Sequence, residues 1–531
     1  MFPKHSPERL TATCQGRTPH RPADRPQQPA NKARQSLLPP PAAMQLDLCL
    51  PLPVTPRRSS REQQHIPLLP TSTPPQPPPQ PSSLPPLLET PPPSSPPQSP
   101  LLLNFKKPSE KPRPMYLLLL LFFFLLALYL LHLLRTETAL NLPWVPDASA
   151  RLFAKRPLPP PLDDTFLSSP SYTLPLRTQG RDIVDAAGRR FKLASVNWYG
   201  ASDELFIPGG LDVQHRDDIA KTIRRMGFNS VRLPYSDEMV MANPVILPHL
   251  LSANPDLVGK RALDVFVAVV EALTAQGIAV VVNNHITSAT WCCGADPCDA
   301  GWANDHLPGV MCRVRQTEEQ WVQHWEVVME SLKGNALVIG ADLRNEVRGV
   351  WGTMPWEKWA DAAERAGNAL LRMNPDWLII VGGTESGNDL SGVARRPIVL
   401  DVPDKVVYSA HVYSWSGWGS LGGRYAKRTY PSFVQSMRKN WAYLVEGNIA
   451  PVWIGEFGAP NEPGQGDANY WRNLMRYLKT IDADFGYWAI NPRKPKENEK
   501  ETYSLVEDDW ATPVLDYRMK DMTELIRAGR E

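Results

Sequence analysis

The stretch "PVWIGEFG" (residues 451–458) decides the fold, because it joins an apolar strand pattern to a charged side chain. The residues at its start are typical of a strand inside a protein, yet Glu456 stands only two residues before its end. A buried carboxylate is unfavourable unless it is paired, hydrated or used in the chemistry of a site. The same arrangement, an apolar run that ends in polar side chains, recurs through the C-terminal part of the chain.

Short apolar runs alternate with amphipathic, helix-like segments from about residue 177 onward. Strands that alternate with helices predict a parallel sheet, and eight such units over ~350 residues fit a closed α/β barrel, the (β/α)8 TIM barrel. An open doubly wound sheet is the alternative, but no G-x-G-x-x-G motif follows the first strand. The strand candidates are residues 192–200, 228–236, 278–286, 336–346, 376–383, 405–413, 451–458 and 485–492.

Two segments depart from this alternation of strands and helices. The stretch "RTQGRDIVDAAGRRFKLASV" (177–196) predicts a hairpin that turns at "DAAGR", ahead of the first barrel strand. The segment after the fifth strand, residues 384–404, lacks a helix pattern. We therefore expect an irregular connection in place of the fifth helix.

Polar side chains stand at the ends of six of the eight strand candidates. Functional residues of such barrels lie at the carboxyl ends of the strands, where loops of different strands meet. One polar strand end means little, but eight in register are hard to assign to packing alone. These candidates are Arg232, His285, Asn345, Glu346, His411, Tyr413, Glu456 and Trp488.

Two of the candidates, Glu346 and Glu456, form the carboxylate pair that glycoside hydrolysis requires. One carboxyl group protonates the leaving oxygen, while the other attacks the sugar or activates a water. Arg232 near Glu456 would keep a nucleophile ionised. Asn345 could hydrogen-bond the hydroxyl at C2 of the sugar, and the flat ring of Trp488 could form a floor beneath it.

The strings "NSVRLPYS", "LRNEVRG", "YSAHVYS", "WIGEFG" and "GYWAINP" resemble the signature of glycoside hydrolase family five, the cellulase family, over residues 177–530. The resemblance implies that Glu346 is the acid/base and Glu456 the nucleophile of a retaining mechanism. It also implies that His411 and Tyr413 orient the nucleophile and that His285 binds substrate. The insertion "RKPKENEKETYS" after the eighth strand departs from the family pattern and affects the layout of the sugar subsites.

The resulting prediction is a retaining hydrolase of β-linked glycans, of the β-glucan (cellulose-like) or β-mannan class, that uses no metal or other cofactor. The alternative is a barrel that binds carbohydrate at a cell surface but has lost turnover, although a binding protein has no need of both carboxylates. A metal-dependent barrel hydrolase would need His and Asp clusters at the strand ends, which "NWYGAS" after the first strand does not offer.

The N-terminal part of the chain divides into three segments. Residues 1–114 hold 31 of the 57 prolines and none of the 17 tryptophans, so we expect a disordered, Pro-rich tail. Its 14 basic and 6 acidic residues are scattered among the prolines, which does not favour nucleic-acid binding. Residues 135–170 read as a Pro-rich linker to a catalytic domain over residues 171–531, which we expect to be monomeric.

Between tail and linker, residues 115–134 are almost uniformly apolar. About 20 such residues match the ~30 Å hydrocarbon core of a bilayer as one helix, which predicts a transmembrane signal anchor. A cleaved signal peptide is the alternative, favoured if translation begins at Met115. Both interpretations direct the barrel into the secretory pathway, where it would be lumenal or extracellular.

Four of the six cysteines fall between positions 292 and 312. In a secreted domain this spacing predicts a loop held by disulfides, and a structural zinc site is the alternative. We expect Cys292 and Cys293 to pair with different partners, Cys298 and Cys312.

Overall fold

The computed structural model describes residues 114–156, 172–294, 296–349, 354–417, 422–494 and 498–528. A two-stranded hairpin, β1 (Arg177–Gln179) and β2 (Asp182–Val184), precedes parallel strands that close into an eight-stranded barrel, which confirms the predicted TIM barrel. The barrel strands, each paired with the next in chain order and the last with the first, are β3 (Ala194–Asn197), β4 (Ser230–Ser236), β5 (Ala279–Ile286), β6 (Val338–Asp342), β7 (Leu378–Gly382), β8 (Val406–His411), β9 (Val452–Phe457) and β10 (Asp484–Tyr487).

Helices cover the outside of the barrel, and almost every residue of the barrel strands is buried. Burial on both faces explains why these strands read as continuous apolar runs rather than as alternating patterns. The helix after β5 shows how a local signal starts an element, because Thr317 and Gln320 form a reciprocal capping box there. The helices of the barrel domain are α3 (Arg216–Arg225), α4 (Asp237–Ala242), α5 (Ala262–Ala275), α6 (Glu318–Glu330), α7 (Trp356–Met373), α8 (Tyr430–Met437), α9 (Tyr443–Glu446), α10 (Gln465–Ile481) and α11 (Tyr517–Ala528), with α1 (Pro114–Leu140) and α2 (Ala148–Phe153) ahead of them.

The connection after β7 differs from the others, as the sequence predicts. Residues 384–404 contain a four-residue turn, Thr384–Gly387, and a 3-10 helix, Ser391–Ala394. Gly387 has φ of +76°, and a Cβ added there would stand 2.8 Å from Cγ of His411. The turn therefore brings bare backbone against a side chain that the sequence assigns to the site.

The hairpin expected around "DAAGR" is present as one antiparallel bridge, between Val184 and Arg190, and the structure adds an earlier reversal between β1 and β2. β1 and β2 pair Gln179 with Asp182, so the chain reverses at Gly180 and Arg181. The "DAAGR" stretch forms a second turn, in which the backbone N–H of Arg189 donates to the carboxylate of Asp185 at 2.8 Å. The hairpin lies at the amino end of the barrel, where an apolar cluster forms from Leu176, Ile183, Phe191, Leu193, Val281, Ile339, Leu378, Ile380 and Trp453 with their neighbours.

Among the described residues, one helix is long and apolar enough to cross a membrane, from Met115 to Leu140. Most of its large apolar side chains are exposed. The helix continues six residues past the expected boundary at residue 134. Of the predicted tail, residues 1–114, all but Pro114 lie outside the described residues, and Pro114 begins the helix.

The last turn of this helix and the chain that follows it pack on the barrel, where the sequence predicts a Pro-rich linker. Glu137 forms ion pairs with Arg424 and Lys427. The N–H of Trp144 donates to the carbonyl of Pro463 at 3.0 Å. Residues 135–156 are thus held by specific contacts, and residues 157–170 of the predicted linker lie outside the described part of the chain.

Candidate active site

The structure brings all eight predicted site residues together at the carboxyl end of the barrel. Six of them line one cavity of about 370 Å³: His285, Asn345, Glu346, Tyr413, Glu456 and Trp488. The other two lie beneath its floor, where Arg232 bonds Glu456 and His411 bonds Glu346. The strand-end pattern therefore predicts correctly that these residues lie together, although it says nothing of which atoms meet, and their roles in a reaction stay predictions.

Arg232 is the centre of a buried hydrogen-bond network. Its guanidinium donates to Glu456 Oε1 at 2.5 Å and to Asp342 Oδ2 at 2.7 Å. It also donates to Asn345 Oδ1 at 2.7 Å and to Asn197 Oδ1 at 3.0 Å. Because Arg232 is fully buried, this fork of charge-assisted bonds fixes the positions of four side chains, which belong to β3, to β9 and to the end of β6 with its following loop.

Glu456 is held at both carboxylate oxygens. Arg232 contacts Oε1, and the hydroxyl of Tyr413 donates to Oε2 at 3.0 Å. Burial raises the pKa of Glu456, although the charges of His411 and Arg232 act in the opposite direction. Arg232 thus acts on the pKa of Glu456 in the expected direction, although burial outweighs it, and the expectation that Arg232 keeps this carboxyl group ionised stays a prediction.

The position directly before this carboxylate, Gly455, has no room for a side chain. A Cβ at that position would stand 2.5 Å from the hydroxyl oxygen of Ser409 and 3.4 Å from Nε2 of His411. A larger residue would displace the strand that carries Glu456. The motif "GEFG" thus combines the reactive side chain with the clearance that its neighbours need.

His411 lies between the two carboxylates. Its Nδ1 is 3.1 Å from Glu346 Oε1 and 3.6 Å from Glu456 Oε2. The hydrogen bond therefore goes to Glu346, whereas the family resemblance implies that His411 orients the nucleophile. The two carboxylates raise the pKa of His411 although burial lowers it, so the imidazole serves as a donor between two acceptors.

The two glutamates approach each other closely across the cavity. A carboxylate oxygen of Glu346, one of Glu456 and a ring nitrogen of His411 all lie within 4.8 Å of one another. Glu346 has φ of +43°, a left-handed conformation that is uncommon for a residue with a side chain. The backbone at the end of β6 is thus bent to direct Glu346 toward Glu456.

Comparison with known proteins identifies the family. The family model "Cellulase (glycosyl hydrolase family 5)" matches residues 184–494, and an endoglucanase of Paenibacillus polymyxa is 33% identical over 357 residues, covering 63% of this chain and 83% of the relative. The chain belongs to the cellulase family, glycosyl hydrolase family 5. It is a glycoside hydrolase. A glycosyl hydrolase 5 family protein of Chamaecyparis obtusa is 28% identical over 395 residues, with 68% of each chain covered.

Solved structures of cellulase-family proteins share the fold. The catalytic domain of the major endoglucanase from Xanthomonas campestris superposes with a TM-score of 0.54 at 25% identity, covering 67% of this chain and 99% of that one. An endocellulase from Pyrococcus horikoshii gives a TM-score of 0.55 at 24% identity, covering 67% and 100%. The second likeness supports the fold alone.

His285 and Trp488 form one wall of the cellulase cleft. The indole of Trp488 lies nearly parallel to the rings of His285 and Tyr199, at centroid distances of 5.4 and 5.1 Å. Burial and the charge of Arg232 lower the pKa of His285 well below its usual value, so its ring is neutral. Asn283 Oδ1 lies 2.9 Å from Nδ1, which therefore carries the proton and leaves Nε2 as an acceptor.

The cysteine loop forms disulfides, as predicted, but with a different pairing. Cys292 bonds Cys293, and Cys298 bonds Cys312 across a Cα separation of 5.5 Å. The prediction that the adjacent cysteines take different partners is wrong, because in the folded loop both of their sulfurs face the amide of Asn345. All four sulfurs are used in these bonds, which leaves no thiolate for the alternative zinc site.

Two groups of side chains in the cleft are close enough to hold a metal ion. One is Glu346, His411 and Glu456; the other is Glu346 with Cys292 and Cys293. The sulfurs of the second group are bonded to each other, and in the first group hydrogen bonds from Arg232 and Tyr413 already occupy Glu456. Catalysis without a metal or cofactor stays a prediction.

Several residues of the cleft escaped the sequence analysis. Asn197 and Asp342 bond Arg232 from the ends of β3 and β6, so the strand-end rule could have found both. Tyr503 and Glu501 line the cavity from the insertion after β10, where the sequence shows no catalytic motif. Trp291 and Trp415 did not escape the sequence analysis, since the sequence places both on loops above the strand ends as candidates for sugar subsites; they are 45% and 47% exposed, which leaves their rings accessible to a sugar.

Proposed function

We propose that this protein hydrolyses internal linkages of a β-linked glucan with retention of anomeric configuration. The observation that carries the proposal is the approach of Glu346 and Glu456 to within 4.8 Å, with His411 between them. Retaining enzymes hold their carboxyl groups ~5–5.5 Å apart, whereas inverting enzymes need ~6.5–9.5 Å to admit a water. The names of the relatives, endoglucanases, support a glucan substrate and internal cleavage.

Glu456 is the nucleophile in this proposal. Its two oxygens are fixed by Arg232 and Tyr413, which leaves little freedom to reorient when the sugar binds. The carboxylate attacks the anomeric carbon and forms a covalent glycosyl ester. Tyr413 and Arg232 then stabilise the charge that returns to Glu456 when the ester breaks.

Glu346 is the acid/base. Its side chain is 15% exposed, against 6% for Glu456, so the leaving sugar and then a water can reach it. In the first step Glu346 protonates the glycosidic oxygen. In the second step it takes a proton from the attacking water, and the hydrogen bond from His411 holds its carboxyl group in place throughout.

The substrate binds along the aromatic walls of the cleft. Trp415 stacks on Tyr413 at a centroid distance of 4.4 Å, and Trp291 stands edge-on to Trp488. Apolar ring faces of this kind bind pyranose rings by stacking. His285, with Nε2 as an acceptor, and Asn345 supply hydrogen bonds to the hydroxyl groups.

The experiment that tests this function uses the full chain purified in detergent. A panel of soluble β-1,4-glucan, mixed-linkage β-glucan and β-mannan should show the fastest release of reducing ends from a β-glucan, with an early fall in viscosity that indicates internal cleavage. Proton NMR of the first product should show the β-anomer. The Glu346→Gln/Glu456→Gln double variant is the control, and initial release of the α-anomer would contradict the retaining mechanism.

We also propose that the helix over residues 115–140 anchors the enzyme with its barrel in the lumen or outside the cell. A column of exposed leucine and phenylalanine side chains is unfavourable in water and stable in a bilayer. The protein should resist extraction of membranes by alkaline carbonate, and its barrel should be protected from protease in sealed vesicles. Release of soluble protein that lacks residues 115–134 would instead indicate a cleaved signal peptide.

A further inference from the structure

The apolar helix α1 is joined to the barrel by close contacts rather than by a free linker. Glu137, in the last turn of α1, forms ion pairs with Arg424 and Lys427. A Cβ added at Gly464 would stand 2.7 Å from the carbonyl oxygen of Leu140, so the end of the helix lies against bare backbone. These contacts fix the end of α1 on the barrel.

The segment that follows the helix extends this attachment. The backbone N–H of Gln465 donates to the carbonyl of Leu142 at 2.9 Å, and that of Trp144 donates to the carbonyl of Pro463 at 3.0 Å. The indole of Trp144 also packs edge-on against the ring of Tyr517, at a centroid distance of 5.3 Å. Main-chain hydrogen bonds on both sides of an aromatic contact leave this part of the chain little freedom to rotate.

The barrel residues that make these contacts all lie at one end of the barrel. Arg424 and Lys427 belong to the loop after β8, and Pro463 and Gln465 belong to the loop after β9 and the start of α10. Tyr517 begins α11, which follows β10. Loops that follow the strands of a parallel barrel lie at its carboxyl end, where the catalytic cleft opens. Helix α1 is therefore attached to the active-site end of the domain.

The distance from the apolar run to this end of the barrel is short. The run ends at residue 134, and Glu137 follows in the same helix. An α-helix rises about 1.5 Å per residue, so the two positions are ~4.5 Å apart along its axis. Residues 115–132 are all exposed, so the helix leaves the barrel instead of running along its side. In a bilayer that accommodates this run, the lipid headgroups and the rim of the cleft are neighbours.

We propose that the joint formed by residues 137–144 holds the carboxyl end of the barrel against the membrane surface, so that the enzyme acts on β-linked glucosyl chains attached to that surface. The inference rests on the proposed function, both for the glucan substrate and for the anchor. Trp415, which lines the cleft and is 47% exposed, belongs to the same loop as Arg424 and Lys427. The rim that carries this ring thus lies on the side of the barrel where the anchor enters the bilayer.

The orientation is tested by cross-linking lysines to lipid headgroups, with the full chain reconstituted in vesicles that contain phosphatidylethanolamine. Lys427 lies at the carboxyl end, whereas Lys333 follows α6, which runs from the carboxyl to the amino end over ~20 Å. Each pairs with a glutamate, which makes the two amines comparable. A short amine cross-linker should join Lys427 but not Lys333 to the headgroups, with labelling by a soluble ester as the reference. Equal cross-linking of both would overturn the proposal.

The consequence for the substrate is tested with cellotetraose in two forms, free in solution and coupled to a lipid in the same vesicles as the enzyme. A flexible (Gly-Ser)10 segment inserted between Arg135 and Thr136 separates the joint from the bilayer by ~25 Å and leaves the barrel unchanged. We expect the initial rate on the lipid-linked chain to fall by about fivefold or more, because the effective concentration of the cleft at the surface drops. The rate on free cellotetraose should not change.

The same insertion directly before Pro114, on the other side of the apolar run, is the matched control and should change neither rate. Equal losses on both forms of cellotetraose, or no loss on either, would overturn the proposal. A wild type that cleaves neither form would instead refute the proposed function, and the cross-linking of Lys427 and Lys333 would still decide the orientation.

Discussion

The carboxyl end and the amino end of the barrel are held together by different kinds of interaction. At the carboxyl end, a fully buried arginine, Arg232, bonds Glu456, Asp342, Asn345 and Asn197, and nearly every position carries a polar atom. At the amino end, the cluster around Ile183 and Phe191 is apolar, and the hairpin β1–β2 lies beside it. The carboxyl end is organised by direction-dependent hydrogen bonds around Arg232, whereas the amino end combines burial of apolar surface with ion pairs such as that of Arg190 with Asp484 at 2.9 Å.

This difference indicates that stability and catalysis depend on different ends of the barrel. Burial of apolar surface is non-directional and tolerates changes of shape, so the apolar cluster at the amino end stabilises the barrel without demanding one exact geometry. A buried charge network contributes little net stability, since desolvation offsets the attraction, but it fixes atoms in place. Substitutions at the carboxyl end should therefore change rates more than melting temperature, and substitutions at the amino end should do the reverse.

The largest effect is expected for Glu456→Gln. The new amide can accept from Arg232 with its oxygen and donate to the Tyr413 hydroxyl with its nitrogen, so the network survives while the nucleophile is lost. We expect kcat on β-glucan to fall by at least ~10⁴-fold, in the range found when an enzyme loses its nucleophile. The apparent melting temperature should stay within a few degrees of the wild type. Normal hydrolysis by this variant would exclude Glu456 as the nucleophile.

The next effect is expected for Glu346→Gln, and it should depend on the leaving group. Loss of a general acid costs ~10²–10⁴-fold when the leaving oxygen needs a proton, as it does in a natural oligosaccharide. An activated aryl β-glycoside has a leaving group that needs little protonation, so formation of the glycosyl ester should be nearly unaffected. Burst kinetics on the aryl substrate, compared with steady-state rates on cellotetraose, measure this contrast. Equal losses on both substrates would contradict the assignment of acid and nucleophile.

The comparison of the two ends also shows what a sequence can predict. Strand ends are recognisable because a run of apolar residues stops at a polar one. This signal identifies eight residues in the sequence, and the structure places all eight at the carboxyl end of the barrel. It could not assign partners: His411 bonds Glu346, although the family resemblance points to the nucleophile. Hydrogen bonds depend on side-chain directions at the end of a strand, and a one-dimensional pattern does not contain them.

The positions of residues on the loops could not be predicted from the sequence either. Tyr503 and Glu501 reach the cleft from an insertion, and the pairing of Cys292 with Cys293 depends on how the loop turns toward Asn345. The direction in which the pKa of Glu456 shifts could not be predicted from the sequence for a similar reason. Its direction depends on the balance between burial and two cations, and burial follows from the packed structure rather than from the residues next to it in the chain.

A smaller effect, on stability alone, is expected at the amino end. Ile183 in β2 is fully buried in the apolar cluster, so Ile183→Ala removes buried methyl groups and leaves a cavity. We expect a loss of ~2–5 kcal/mol in the free energy of unfolding, and ~0.5–1.5 kcal/mol for Ile183→Val. Thermal unfolding of the full chain in detergent measures both, with exposed Gln179→Ala on the same hairpin as the control. A drop in kcat for folded Ile183→Ala would contradict the separation of the two ends.

The smallest effect concerns a turn at the amino end in which a charged side chain holds the backbone. Burial acts to raise the pKa of Asp185, but hydrogen bonds from the backbone of Thr173 and Arg189 and the Arg189 guanidinium outweigh it and lower the pKa to about 2. A carboxyl group whose pKa is lower in the folded chain stabilises the fold above its unfolded pKa, and this contribution is lost as the pH falls through its folded pKa. Asp185→Asn should therefore lower the melting temperature at pH 6, and the difference from the wild type should shrink between about pH 4 and pH 2. A difference that stays constant across this range would show that the carboxylate charge has no part in holding the turn.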